Sequence, residues 1–224
     1  GGSILGSSRG NQDPANMVDQ LISKGINILF CIGGDGTLKG ANAIAEEIKK
    51  RRLLISVVGI PKTIDNDLSF VEKTFGFETS VQIASDIITS AHTEAICAEN
   101  GIGIVKLMGR DSGFISASAT LANSVVDFCL VPETHFDLEG KDGLFKALEK
   151  RLKERQYSVI VVAEGAGQHL FTKAPDKKDI SGNLIKKDIG LFLKQQLEGY
   201  FRATDLDICV KYFDPSYHIR SVPA

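Results

Sequence analysis

From Gly59 to Leu68 the sequence reads GIPKTIDNDL, and its polar residues Lys62, Thr63, Asp65, Asn66 and Asp67 follow directly on an apolar run. A carboxylate at the end of a strand can accept a proton from a hydroxyl as that hydroxyl attacks. A second carboxylate nearby can hold a divalent metal or its waters. The Lys62 ammonium can offset charge on a transferring phosphoryl group, and the Thr63 hydroxyl can position it. Asn and Asp also favour turns, so a plain Asx-rich connector is the alternative. That alternative gives no reason for a lysine and two acids at one strand end.

Other stretches have the same character. GGDGT, Gly33–Thr37, joins an apolar run to a helical one. Its glycines let backbone approach a ligand, and a helix N-terminus favours phosphate. Asp35 would repel that phosphate unless a divalent cation lay between them, which points to Mg2+; a tight turn with a capping Asp is the plain alternative. In MGRDSG, Met108–Gly113, Met108 offers an apolar contact, Gly109 a close approach and Arg110 a planar cation for phosphate or developing negative charge. A surface pairing of Arg110 with Asp111 is the rival. Glu164 follows a fully apolar run and can accept two sugar hydroxyls, or cap a loop. KYFDPSYHIR gathers Lys211, Tyr217, His218 and Arg220 within ten residues, either a grip for a sugar phosphate or a solvated loop. His92 and His169 join no such group and read as ordinary.

Apolar runs of strand length position these clusters. Ile26–Ile32, Leu53–Ile60, Gly103–Met108, Asp127–Pro132, Ser158–Ala163 and Asp207–Phe213 are rich in Val, Ile and Leu and mostly do not alternate. That predicts strands covered on both faces. Helical stretches lie between them, the first opening at Asp13-Pro14 and stopping at Gly25. The alternation predicts an α/β fold with a mainly parallel sheet. Ligands bind such sheets beyond the C-terminal ends of the strands, and there the sequence puts GGDGT, PKTIDND, GRDSG, EGAGQ and DPSYHIR. Leu170–Lys187 reads as a polar surface loop.

Composition narrows the classes. The 224 residues are 43% hydrophobic and 24% charged, the profile of a globular protein, and the net charge of −2 gives no argument for nucleic acid. No apolar run approaches the ~20 residues of a membrane span. The four cysteines are far apart and form no CxxC pair, so zinc is not expected. Cys31, Cys129 and Cys209 lie in apolar stretches and read as small buried side chains in a reducing compartment. The chain does not begin with methionine and is expected to be a piece of a longer protein.

GGSILGSSRG, GGDGT, PKTIDND, MGRDSGF and DPSYHIR, in that order, resemble the phosphofructokinase family. GGDGT alone also occurs in NAD kinases and diacylglycerol kinases, whereas PKTIDND followed by MGRDSGF is far more specific. The resemblance covers nearly the whole chain and looks closest to the ATP-dependent members of plants and kinetoplastids, which derive from the pyrophosphate-dependent branch. It implies Rossmann-like sheets in two lobes: a nucleotide lobe over 1–76, a sugar-phosphate lobe over 77–217, and a return toward the first lobe over 218–224. The implied reaction is phosphoryl transfer from ATP to the 1-hydroxyl of fructose 6-phosphate, the committed step of glycolysis. The resemblance implies Asp65 as general base, with Lys62, Thr63, Asp67 and Arg110 around the transferred group. Asp35 falls at the Mg2+ position. Arg9, Gly10, Gly34, Gly36 and Thr37 fall at nucleotide contacts. Met108, Gly109, Arg110 and Glu164 fall at sugar contacts, and Lys211, Tyr217, His218 and Arg220 at the 6-phosphate. It further implies an allosteric homotetramer in the cytoplasm, with a glycosome or plastid as alternatives.

Gly36 bears on the donor, because pyrophosphate-using relatives carry an aspartate there that would crowd and repel the α-phosphate of ATP. Lys62 points the other way, since pyrophosphate users share it. The family's first strand and Gly-rich loop lie upstream of GGSILGSSRG. Bacterial members place an arginine near the position of Gly101, a histidine at that of Tyr217 and an arginine at that of Lys211. A pyrophosphate-dependent enzyme and a catalytically inactive regulatory subunit are the competing expectations.

Overall fold

The computed structural model describes residues 12–172 and 184–222. Arg9 and Gly10 lie outside those residues, as does most of the polar stretch Leu170–Lys187. The chain begins with helix α1 (Pro14–Ser23), opened by the Asp13 carboxylate, which accepts a hydrogen bond from the Ala15 amide, and by Pro14 in the first turn. Gly25, at φ +63°, turns the chain out of it. Strand β1 (Ile28–Gly33), helix α2 (Asp35–Lys50) and strand β2 (Ser56–Pro61) follow as one unit of strand, helix and parallel strand. Helix α3 (Phe77–Ile96) leads to β3 (Gly101–Leu107), α4 (Phe114–Leu121), β4 (Phe128–Leu130), α5 (Leu144–Arg155), β5 (Tyr157–Ala163), α6 (Ile189–Phe201), β6 (Cys209–Phe213) and α7 (Ser216–Arg220).

Among the described residues, β1 and β2 form a two-stranded parallel sheet, and β4-β5-β3-β6 form a second, all-parallel sheet of four. Registers such as Gly33↔Pro61 and Leu107↔Ala163 bring neighbouring strand ends level. The loops that follow them therefore emerge side by side. One core packs α5 and α6 on one face of the larger sheet through Ile102, Ile104, Ile160 and Val162. A second packs α3, α4 and Ile219 of α7 on the other face through Val105, Leu107, Val159 and Val161. Gly103 lets α3 lie against β3, since a Cβ there would come 2.8 Å from the Ala91 carbonyl oxygen.

Two expectations need correction. β3 and β5 are buried along their length, but β1 and β2 are covered on one face only. Ile28, Phe30 and Ile32 are 53%, 61% and 65% exposed, because α1 and α2 both lie on the side of Leu29 and Val57. The cysteines of the apolar stretches, Cys31, Cys129 and Cys209, are partly rather than fully buried, and Cys97 is exposed. No helix of the described residues is long and apolar enough to cross a membrane.

Candidate active site

The parallel pairing of β1 with β2 sets GGDGT beside PKTIDND, and the Lys62 amide donates to the Gly33 carbonyl at 2.7 Å. A Cβ on Gly34 would stand 3.4 Å from the Lys62 carbonyl oxygen, an ordinary contact, so this packing does not itself demand glycine there. Asp35 is the first residue of α2, and its exposed carboxylate pairs with Lys39 at 3.1 Å. Gly36 and Thr37 occupy the same exposed first turn. A Cβ at Gly36 would meet nothing within 4 Å. Packing gives no reason for glycine there, although glycine within a helix costs about 0.5–1 kcal/mol relative to alanine.

Beyond β2 the chain makes two local hydrogen-bonded turns. The Thr63 Oγ1 accepts from the Asp65 amide at 3.3 Å. Asn66 adopts φ +54°, a left-handed conformation that asparagine tolerates better than most residues. Its side chain donates to the Glu72 carbonyl at 3.2 Å and accepts from the Thr74 amide at 2.8 Å, closing the loop after the two acids. Local hydrogen bonds thus shape this stretch: Thr63 and Asn66 build the loop, and the two aspartates flank the asparagine. Lys62 and Asp67 are exposed and Asp65 is half-buried. The Ser112 hydroxyl donates to the Asp65 carbonyl at 3.2 Å and ties this loop to MGRDSG. Asp65 Oδ1 is buried and finds no hydrogen-bond partner among the described residues. Burial, with the negative charges of Asp67 and Glu164, pushes its pKa up to about 6 against the opposing pull of Arg110. A carboxyl tuned toward neutrality can take and return a proton at working pH.

The ends of β3 and β5 lie next to this loop, joined to it through Ser112 and acting on Asp65 through Arg110 and Glu164. The Gly165 amide donates to the Gly109 carbonyl at 3.0 Å, and the Glu164 amide to the Leu107 carbonyl at 2.9 Å. Gly109 sits at φ +130°, and a Cβ on Gly165 would collide with the Arg110 carbonyl, so glycine is required at both. Met108 is half-buried beside them. Arg110 Nε lies 4.0 Å from Glu164 Oε1. Burial raises the Glu164 pKa, and the Arg110 and Lys106 cations limit the rise. Asp111 pairs with Lys186 at 2.9 Å. Gln168 donates to the carbonyls of Glu164 and Lys187, both at 3.0 Å, and accepts from the Lys187 amide at 3.1 Å. Ser112, Gln168 and Lys186 had no role in the sequence reading, and Asn66 entered it only as a turn former. Asn66 and Ser112 could have been found from their places inside the two most specific motifs, while Gln168 and Lys186 carry no local signal.

The remaining expected residues are spread out. Tyr217 and His218 are exposed on α7, beyond the end of β6. Lys211 is exposed within β6 itself, opposite Gly103 and short of the strand end. The Arg220 side chain and Arg9 and Gly10 fall outside what is described. A Cβ on Gly101 would collide with the Ala95 carbonyl of α3, so no side chain fits at that position without displacing the helix. His92 meets Tyr157 edge-on and His169 stacks on His135, ordinary aromatic contacts. Among the described residues no three His, Cys, Asp or Glu side chains gather as a ready-made metal cage.

The family profile described as phosphofructokinase matches residues 1–212. The chain is 55% identical over 230 residues to the ATP-dependent 6-phosphofructokinase of Borreliella burgdorferi, with 100% of this chain and 52% of that protein covered. Against ATP-dependent 6-phosphofructokinase 7 of Arabidopsis thaliana it is 52% identical over 226 residues, covering 100% of this chain and 47% of the relative. Against the ATP-dependent 6-phosphofructokinase of Trypanosoma brucei brucei the identity is 49% over 226 residues, covering 100% and 46%. The chain thus spans about half the length of the curated relatives it matches. Among solved structures, the pyrophosphate-dependent phosphofructokinase of Marinobacter aquaeolei superposes with a TM-score of 0.72 at 21% identity, over 98% of this chain and 52% of that one. At that identity the likeness speaks for the fold. A profile match over residues 1–212, with relatives near half-identical along the whole chain, makes this sequence a member of the phosphofructokinase family.

Proposed function

We propose that the protein to which this chain belongs transfers the γ-phosphoryl group of ATP to the 1-hydroxyl of fructose 6-phosphate, giving fructose 1,6-bisphosphate. The observation that supports this is Asp65: a half-buried carboxyl with a pKa raised to about 6, in a loop bonded at Lys62 to Gly33 of GGDGT and at its own carbonyl to Ser112, within the fields of Arg110 and Glu164. In this reading Asp65 orients the attacking hydroxyl and takes its proton. Lys62 and Arg110 balance charge on the moving phosphoryl group, with Thr63 and Asp67 flanking it. Gly34, Gly36 and Thr37, with Arg9 and Gly10, receive the nucleotide. Met108, Gly109 and Glu164 hold the sugar, and Lys211, Tyr217, His218 and Arg220 its 6-phosphate.

Magnesium enters as part of the nucleotide substrate. Mg2+ is commonly held by one or two carboxylates together with substrate phosphates and water, and the exposed Asp35 at the start of α2 fits that donor set. It would neutralise charge on the phosphates. The division into a nucleotide lobe over 1–76, a sugar-phosphate lobe over 77–217 and a returning segment over 218–224 belongs to this proposal. So do an allosteric homotetramer and a cytoplasmic, glycosomal or plastid setting. Lys62 supports a second reading, in which pyrophosphate is the donor.

A coupled assay on the full-length protein, offering ATP and pyrophosphate separately with fructose 6-phosphate and Mg2+, tests the proposal. Turnover with ATP is expected. Turnover with pyrophosphate alone transfers the case to the second reading, and no turnover with either donor sinks both.

A further inference from the structure

Lys106 breaks an apolar row. On the α6-facing side of β3 the chain presents Ile102 and Ile104, both fully buried, and then Lys106, whose side chain is only 12% exposed. Its ammonium lies 2.8 Å from Asp214 Oδ2 and donates to Asp188 Oδ2 at 3.1 Å. The Tyr212 hydroxyl donates to the same Asp188 carboxylate, at 2.9 and 3.0 Å from its two oxygens, and the ring of Tyr212 lies 5.9 Å from the ammonium. One cation therefore joins three places far apart in sequence: the end of β3, the N-cap of α6 and the turn after β6.

A core would be simpler without it. An apolar residue of similar volume continues the row, and ion pairs taken out of water seldom stabilise a fold beyond such a replacement. What the lysine adds is position. Asp188 caps α6 by accepting from the Leu191 amide at 3.0 Å. Asp214 accepts from the amide and the hydroxyl of Ser216, the residue that opens α7. Burial works against the charge on both aspartates, and the hydrogen bonds from Lys106 and from their own local partners outweigh it. The same cation acts on Glu164 at the end of β5. We propose that Lys106 is a positioning residue of the sugar-phosphate side of the site: from the end of β3 that leads into Met108–Arg110 it fixes the turn after β6, on which α7 carries Tyr217 and His218. This rests on the fructose 6-phosphate reading above.

Lys106→Met in the full-length protein tests it, with Lys106→Arg as the charge-retaining comparison. Losing one charge-assisted tether should raise the KM for fructose 6-phosphate about tenfold or more while the KM for ATP stays within about twofold. Lys106→Arg should recover most of the difference. Amide exchange supplies a readout independent of activity. The Ile219 and Ser221 amides, bonded to the Pro215 and Tyr217 carbonyls, should exchange faster in Lys106→Met, while those of α2 are unchanged. Equal rises in both KM values, or unchanged sugar KM with unchanged exchange, overturn the proposal. Absence of fructose 6-phosphate turnover in the wild type sinks the functional reading. Faster exchange at 219 and 221 would then still uphold the tether, and unchanged exchange would remove it.

Discussion

Asp65 and Gly36 carry consequences that can be read one residue at a time. Asp65 is raised from its ordinary 3.8 to about 6, so the folded chain binds its proton more tightly than the unfolded chain does. Its contribution to stability is complete below pH 3.8 and is lost as pH rises through about 6. Asp65→Asn, neutral throughout, should therefore gain stability relative to the wild type as pH rises from about 4 to about 7. Discounted for the carboxyl's partial exposure to water, the gain amounts to roughly 1–2 kcal/mol. Equal offsets in denaturant midpoint at the two ends of that range would count against the burial argument. In activity, a base of this strength should make kcat/KM fall about tenfold for each step of one pH unit below about 6. Gly36→Asp is the matching test of the donor. Its side chain meets open space, so the melting temperature should hold while ATP turnover is lost, as steady-state kinetics would show. Unchanged ATP kinetics would remove Gly36 from the argument.

At the level of elements, close packing of α3 on β3 decides what position 103 tolerates. Gly103→Val would drive a branched side chain into the Ala91 backbone, 2.8 Å from an added Cβ. The expected cost is about 1–3 kcal/mol, read from denaturant unfolding. The strands themselves were legible because Val- and Ile-rich runs bounded by turn residues leave little other choice. Whether one or both faces of β1 and β2 were covered was not, because an apolar run such as Ile28–Ile32 looks the same in either case. α7 was too short and too polar to stand out. For the site, the motifs at the strand ends told which residues could meet, since parallel register brings those ends level. Tertiary partners stayed hidden. Lys106 is a lone charge inside an apolar strand, and nothing in its sequence neighbourhood points to Asp188 and Asp214.

Across the whole molecule the cores are unequal. The four-stranded sheet is buried on both faces, whereas α1, α2, β1 and β2 share a small core of Val18, Leu21, Ile44 and Ile48. Few buried contacts mean a low free energy for local opening. The 224-residue chain should therefore unfold in two thermal transitions rather than one, the first belonging to residues 12–61. A single transition followed alike by amide exchange in β1 and β3 would contradict this. The bare side of β1 and β2 has a further consequence. GGDGT and the start of PKTIDND hang from the weaker sheet, so whatever they grip becomes a brace for it. Saturating Mg·ATP should lift the earlier melting step and leave the later one where it was: occupancy would be written into heat resistance, and only in the part of the chain that needs bracing.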